Sequence, residues 1–123
     1  MDNEERKVVE ADGTIYWHNE GGFRHRDGNL PAVERLDGSK FWYRNGLRHR
    51  DGGLPAIELA SGAKFWYVDG RRHRDDDLPA IIWADGTKEW WVGALPHREG
   101  GLPAVVHANG RKEWYVKGIS HGQ

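Results

Sequence analysis

Leu30 to Gly53 reads LPAVERLDGSKFWYRNGLRHRDGG, and Leu54 to Asp77 reads LPAIELASGAKFWYVDGRRHRDDD. Leu-Pro-Ala returns at Leu78 and Leu102, and histidine falls at His25, His49, His73, His97 and His121, so a period of 24 residues runs through the chain. Turn dipeptides keep step with it at Asp12-Gly13, Asp37-Gly38, Ser61-Gly62, Asp85-Gly86 and Asn109-Gly110. Five copies of one unit result, at about residues 7–30, 31–54, 55–78, 79–102 and 103–123, forming a single repeat domain. The first copy has an extra residue in its Asn19 to Gly22 turn, and the last stops after its histidine. Residues 1–6 precede the pattern and are expected to be disordered.

Asp-Gly and Asn-Gly between β-branched and aromatic residues signal hairpins, because a type I′ turn needs positive φ at both central positions. A two-residue loop at Asp37-Gly38 sets Val33 opposite Trp42 and Glu34 opposite Phe41. Units four and five exchange the acid and the large apolar residue, with Ile82 and Glu89, then Val106 and Glu113, in those places, which supports that register. A second turn at Asn45-Gly46, Asp69-Gly70, Gly93-Ala94 and Lys117-Gly118 returns a third strand that sets His49 opposite Trp42.

Strand alternation then separates two faces. Val33, Trp42 and His49 with their equivalents form a core ladder. Ala32, Glu34, Phe41, Tyr43, Arg48 and Arg50 form a partly exposed second face. Proline marks the entry to each first strand, and the leucine before it folds over the Val-Trp face. The expected fold is all-β, five tandem hairpin units in an elongated antiparallel meander or solenoid in which each unit is held by its neighbours.

Seven Trp, four Tyr and three Phe supply apolar area that few aliphatic residues provide. Eighteen Lys and Arg against nineteen Asp and Glu give a net charge of −1, so electrostatic attraction must be local. Cysteine is absent, which removes disulfides, thiolate nucleophiles and Cys-based zinc sites. The amino terminus has no apolar leader, and no apolar run reaches the ~20 residues of a membrane span. The chain is read as soluble and cytoplasmic, with no membrane partner.

The segments from Phe41 to Arg50 and from Phe65 to Arg74, aromatic residues followed by Asn-Gly or Asp-Gly and then x-x-His, resemble variant MORN repeats. The resemblance extends from about Val8 to His121 and implies an extended antiparallel sheet of hairpins, with roles in scaffolding, dimerisation or lipid contact. His-Arg stands here in place of His-Gly, and Leu-Pro-Ala is added.

Catalytic readings find little support in these residues. Equivalent histidines two strands apart are roughly 10 Å from one another, whereas imidazole nitrogens sharing a zinc each lie about 2.1 Å from it. The structural reading is a half-buried imidazole packed on Trp and bonded to a linker carbonyl or Asp. His-Arg-Asp at His25, His49 and His73 matches a kinase tripeptide without a glycine-rich loop or strand lysine, and Arg-Asp proximity there is read as pinning the linker. Ser39, Ser61 and Ser120 offer no nucleophile for a Ser-His-Asp triad. Glu34 and Glu58 lie near or beyond the about 5 to 9.5 Å that glycoside hydrolysis needs. The expectation is a non-enzymatic protein without cofactor or metal.

The second face carries the binding expectation. Phe41, Tyr43, Arg48, Arg50, Phe65, Tyr67, Arg72, Arg74, Trp91 and Tyr115 combine the aromatic and arginine residues that protein interfaces favour. They point to a protein-binding adaptor or an inhibitor of a larger protein, with a homodimer as a further way to cover the face. The alternative is single-stranded nucleic acid, its bases stacked on the rings and its phosphates on the arginines. Asp27, Asp51, Asp75 to Asp77 and Glu99 follow the arginines and offset their potential.

Overall fold

In the computed structural model, which describes residues 5–121, each first hairpin closes through a loop one residue longer than a type I′ turn. The Arg35 N–H donates to the Ser39 carbonyl at 2.9 Å, and the Gly38 N–H donates to the Arg35 carbonyl at 3.0 Å. Leu36, Asp37 and Gly38 therefore form a three-residue loop in which only Gly38 has positive φ, +96°. This is a type I turn closed by a left-handed glycine, with the Asp37 carboxylate accepting the Ser39 N–H at 2.8 Å. The same bonds recur from Leu59 to Ala63, from Trp83 to Thr87 and from His107 to Arg111.

The expected register is corrected accordingly: Val33 pairs with Phe41 and Glu34 with Lys40. Side chains alternate with period two, so this one-residue slip turns the first strand over relative to the second. Val33 joins Phe41 and Tyr43 on one side, while Glu34 joins Lys40 and Trp42 on the other. The exchange in units four and five is thus not a cross-strand pair of the kind expected, because Glu89 faces Ile81 and Glu113 faces Val105. The second turn does follow expectation. Asn45 and Gly46 have φ of 49° and 88°, Tyr43 pairs with Arg48, and the His49 N–H reaches the Trp42 carbonyl at 3.1 Å.

Unit one gives β1 (Arg6–Val9) and β2 (Ile15–His18). Unit two gives β3 (Val33–Glu34), β4 (Lys40–Phe41), β5 (Tyr43–Arg44) and β6 (Leu47–Arg48). Unit three gives β7 (Ile57–Glu58), β8 (Lys64–Phe65), β9 (Tyr67–Val68) and β10 (Arg71–Arg72). Unit four gives β11 (Ile81–Ile82), β12 (Lys88–Glu89), β13 (Trp91–Val92) and β14 (Leu95–Pro96), and unit five β15 (Val105–Val106), β16 (Lys112–Val116) and β17 (Ile119–His121). The first hairpins join into one open antiparallel sheet ordered β1-β2-β3-β4-β7-β8-β11-β12-β15-β16-β17. The second hairpins β5-β6, β9-β10 and β13-β14 stand as separate ribbons beside it. The architecture is an open all-β meander. Arg6 pairs with His18 inside β1, which corrects the expectation of disorder at that residue. Residues 1–4 of the expected disordered segment, and residues 122 and 123 of the last unit, lie outside the described residues.

Val33, Phe41, Ile57, Phe65 and Ile81 form a continuous buried ladder, with Ile81 only 1% exposed. On the opposite side Trp42, Trp66 and Trp90 are buried together with Ala32, Ala56, Ala80 and Ala104. Each large side chain removed from water contributes about 1.5 to 3 kcal/mol, so aromatic residues supply most of the cohesion. The linker leucines do not cover the tryptophans as expected. Leu30, Leu54, Leu78 and Leu102 stay 40 to 47% exposed, because an arginine occupies the indole face instead.

Trp66→Ala should cost about 3 to 5 kcal/mol, read from the urea midpoint, because it opens a cavity in the central unit and removes that arginine's stacking partner. Ala94 sits at φ 77°, where its Cβ is strained. Ala94→Gly should therefore raise the unfolding free energy by roughly 0.5 to 1 kcal/mol, the relief of strain exceeding glycine's entropic cost.

Candidate binding surface

The arginine after each histidine is spent on holding the fold. Arg26, Arg50, Arg74 and Arg98 lie flat over Trp17, Trp42, Trp66 and Trp90, with guanidinium carbons 3.6 to 3.8 Å from the ring centroids. Each donates to a linker carbonyl, that of Pro31, Pro55, Pro79 or Pro103, at 3.1 to 3.2 Å. Arg26 and Arg50 also meet Glu34 and Glu58, and Arg98 meets Asp77. The indole N–H groups of Trp42, Trp66, Trp90 and Trp114 donate to carbonyls of the preceding linker. Arg50 and Arg74, expected on the binding face, thus lie on the side opposite Tyr43, Arg50 bonded to Pro55, Asn29 and Glu58 and Arg74 held by the Trp66 ring and the Pro79 carbonyl.

The histidines join one unit to the next. His25, His49 and His73 donate Nε2–H to Asp27, Asp51 and Asp75 at 2.7 Å, and His97 donates to Glu99 at 3.3 Å. Their Nδ1 atoms accept the first N–H of the following turn, from Asn45, Asp69, Gly93 and Lys117 at 2.8 to 3.1 Å. A backbone N–H can only donate, so each ring has one tautomer. The aspartate of each His-Arg-Asp tripeptide therefore serves the histidine rather than the adjacent arginine. Among the described residues no group of three His, Asp or Glu side chains converges as a metal site.

On the other side of the second hairpins, five of the expected residues come together, Tyr43, Arg48, Tyr67, Arg72 and Trp91. Arg48 lies 5.9 Å from the Tyr43 ring and 5.5 Å from Tyr67, while Arg72 lies 5.9 Å from Tyr67 and 4.9 Å from Trp91. The Arg72 Nε also donates to the Tyr67 hydroxyl at 3.2 Å. Arg24 over Tyr16 at 5.1 Å extends the row by one unit. Among the described residues, none of Arg24, Arg48 and Arg72 is paired with a carboxylate. Arg48 and Arg72 are each held between two rings and Arg24 against one. Phe41 and Phe65, expected beside these residues at the surface, are only 8% exposed and belong to the core, a consequence of the corrected register, and Tyr67, also expected on the surface, is buried to the same degree, its ring lying beneath Arg48 and Arg72.

The row changes character in unit four, where Pro96 stands opposite Trp91 in place of arginine. Glu89 and Glu113 replace the core phenylalanines. Glu89 accepts the indole N–H groups of Trp83 at 2.6 Å and Trp91 at 3.0 Å, and among the described residues it has no cationic partner. Glu113 accepts from His107 at 2.7 Å, Arg111 at 2.9 Å and the Tyr115 hydroxyl at 3.2 Å. The histidine bond first, and then the arginine bond, lower the Glu113 carboxyl to about 2, while the same glutamate raises the Tyr115 phenol. Sequence reasoning left Trp83, Glu89 and Glu113 out of the surface. The signal for them was departure from the repeat at fixed positions, Arg35, Leu59, Trp83 and His107 in one column and Phe41, Phe65, Glu89 and Glu113 in another.

Pockets also recur between successive linkers, one of about 570 Å³ lined by Leu78, Val92, Leu102 and Asp76. Their tryptophan floors are already covered by arginine.

Glu113 supplies a pH test. Its folded value of about 2 lies below the ordinary 4.5, so the ionised group stabilises the fold above about pH 4.5, and that contribution fades as pH falls towards 2. Glu113→Gln should melt earlier than the parent at pH 7, with the gap closing by about pH 2 in circular-dichroism melts. No family model matches this chain, and a search of curated proteins finds no significant match.

Proposed function

We propose that this chain is a non-enzymatic, protein-binding repeat protein of MORN-like type that engages its partner through Tyr43, Arg48, Arg72, Trp91 and Tyr115, with the buried Tyr67 ring supporting Arg48 and Arg72. The observation that carries the reading is the row of arginines held against aromatic rings without a carboxylate partner among the described residues. Tyrosine, tryptophan and arginine dominate the energetics of protein interfaces, and a guanidinium already held by rings loses little entropy on binding. An adaptor or an inhibitor of a larger protein would use such a row, and a second copy of the chain could cover it. The histidines support a non-catalytic role, since those of units one to four spend both ring nitrogens on the fold.

Alternating rings and arginines would also suit single-stranded nucleic acid. Replacement of the fourth arginine by Pro96, beside an unneutralised Glu89, weighs against a uniform polyanion.

Tyr43→Ser combined with Arg48→Ser should keep the fold at a cost below about 2 kcal/mol, because Arg48 is exposed and Tyr43 is half-buried. Capture from a lysate at low and high salt, followed by identification of the eluate, checks the proposal. One stoichiometric protein, retained at high salt and lost with the double variant, is the expected result. Nucleic acid that disappears at high salt, or an empty eluate with a concentration-dependent dimer, would replace it.

A further inference from the structure

The binding face is electrically polarised along the meander. Arg24, Arg48 and Arg72 occupy equivalent places in units one, two and three, joined through the bonds from Gly46 N–H to the Arg24 carbonyl and from Gly70 N–H to the Arg48 carbonyl, at 2.9 and 2.8 Å. Arg35 adds a fourth cation on this side, 4.7 Å from the Phe41 ring. Beyond Arg72 the next charge beside the row is Glu89, in contact with Trp91 and without a cationic partner among the described residues. Further on, Glu113 already has Arg111 and His107. The track is therefore cationic over three units and anionic at the fourth.

Successive arginines are separated by two strands, or about 10 Å. Three residues of a polyproline II segment, one full turn, cover nearly the same distance at about 3.1 Å each and return every third side chain to one face. Resting on the protein-binding reading above, we propose that the partner contributes a polyproline II segment with carboxylates at every third position over Arg24, Arg48 and Arg72, followed three residues later by a basic side chain at Glu89. Rings bracket the guanidinium groups of Arg48 and Arg72 and support that of Arg24 on one side, and none of the three has a carboxylate of the described residues as partner, which leaves each for a charge-assisted pair with an incoming carboxylate. Glu89 rejects a fourth carboxylate and so fixes which end of the segment lies over unit four.

The test uses fluorescein-labelled decapeptides with Asp at positions 1, 4 and 7, Pro and Ser elsewhere to favour polyproline II, and either Lys or Asp at position 10. Anisotropy titration against the unaltered protein at low salt should show the Lys peptide binding at least tenfold tighter than the Asp peptide. Arg48→Ser with Arg72→Ser should weaken the Lys peptide by tenfold or more, and Glu89→Gln should reduce the preference for Lys to under threefold. Equal affinity for the two peptides, no binding of either at 1 mM protein, or tighter binding of a ten-nucleotide thymidine strand would overturn the proposal. The peptide comparison needs no variant, so it stands even if Glu89→Gln does not fold. Failure of the peptides while Tyr43→Ser/Arg48→Ser still abolishes protein capture would remove the bipolar segment and leave the protein-binding reading in place.

Discussion

A guanidinium lying on an indole ring and bonded to a proline carbonyl is the contact on which the other features depend. The strands of the main sheet in units two to four are two residues long, too short for ladder hydrogen bonds alone to hold the sheet. Arg50 over Trp42, tied to the Pro55 carbonyl, lays the linker across one side and closes that side against water. With the linker fixed, Ala56 is buried and places Ile57 in the ladder beside Phe41. The opposite side can then present the second hairpins to solvent without exposing the core.

Arginine therefore does two jobs that composition does not separate. After the histidine it lies over an indole and donates to a proline carbonyl, with a carboxylate partner at Arg26, Arg50 and Arg98; before the histidine, at Arg24, Arg48 and Arg72, it rests against rings without a carboxylate partner among the described residues. Strand alternation sends neighbours to opposite sides, and the linker supplies carbonyl acceptors on one side only. The histidine between them completes the division of labour. Its two nitrogens link an aspartate of its own linker to the first amide of the next turn, so the ribbons are strung in series by side chains as well as by backbone.

Much of this was legible in the residues. The 24-residue period, the type I′ turn at Asn45-Gly46 and the pairing of Trp42 with His49 follow from spacing and turn chemistry, and the gathering of Tyr43, Arg48, Tyr67 and Arg72 follows from that second hairpin. The first hairpin was misread because Asp-Gly suits both a two-residue loop and the last two places of a three-residue one. The choice lies in whether Asp37 takes positive φ, and it does not. That single dihedral moved Phe41 and Phe65 from surface to core. The roles of Arg50 and Arg74 were hidden for another reason: an arginine's stacking partner depends on where the linker crosses the sheet, which no local pattern encodes.

Each unit contacts its neighbours through the same few bonds, with the turn amide on the preceding histidine and the turn's second amide on the carbonyl of the residue before it. Because the joints are alike, excising Leu54 to Asp77 would bring Leu78 to the place of Leu54 with matching partners on both sides. The meander is graduated in rings and guanidinium groups: gain or loss of one unit changes its length by about 10 Å while leaving the spacing of the remaining graduations unchanged.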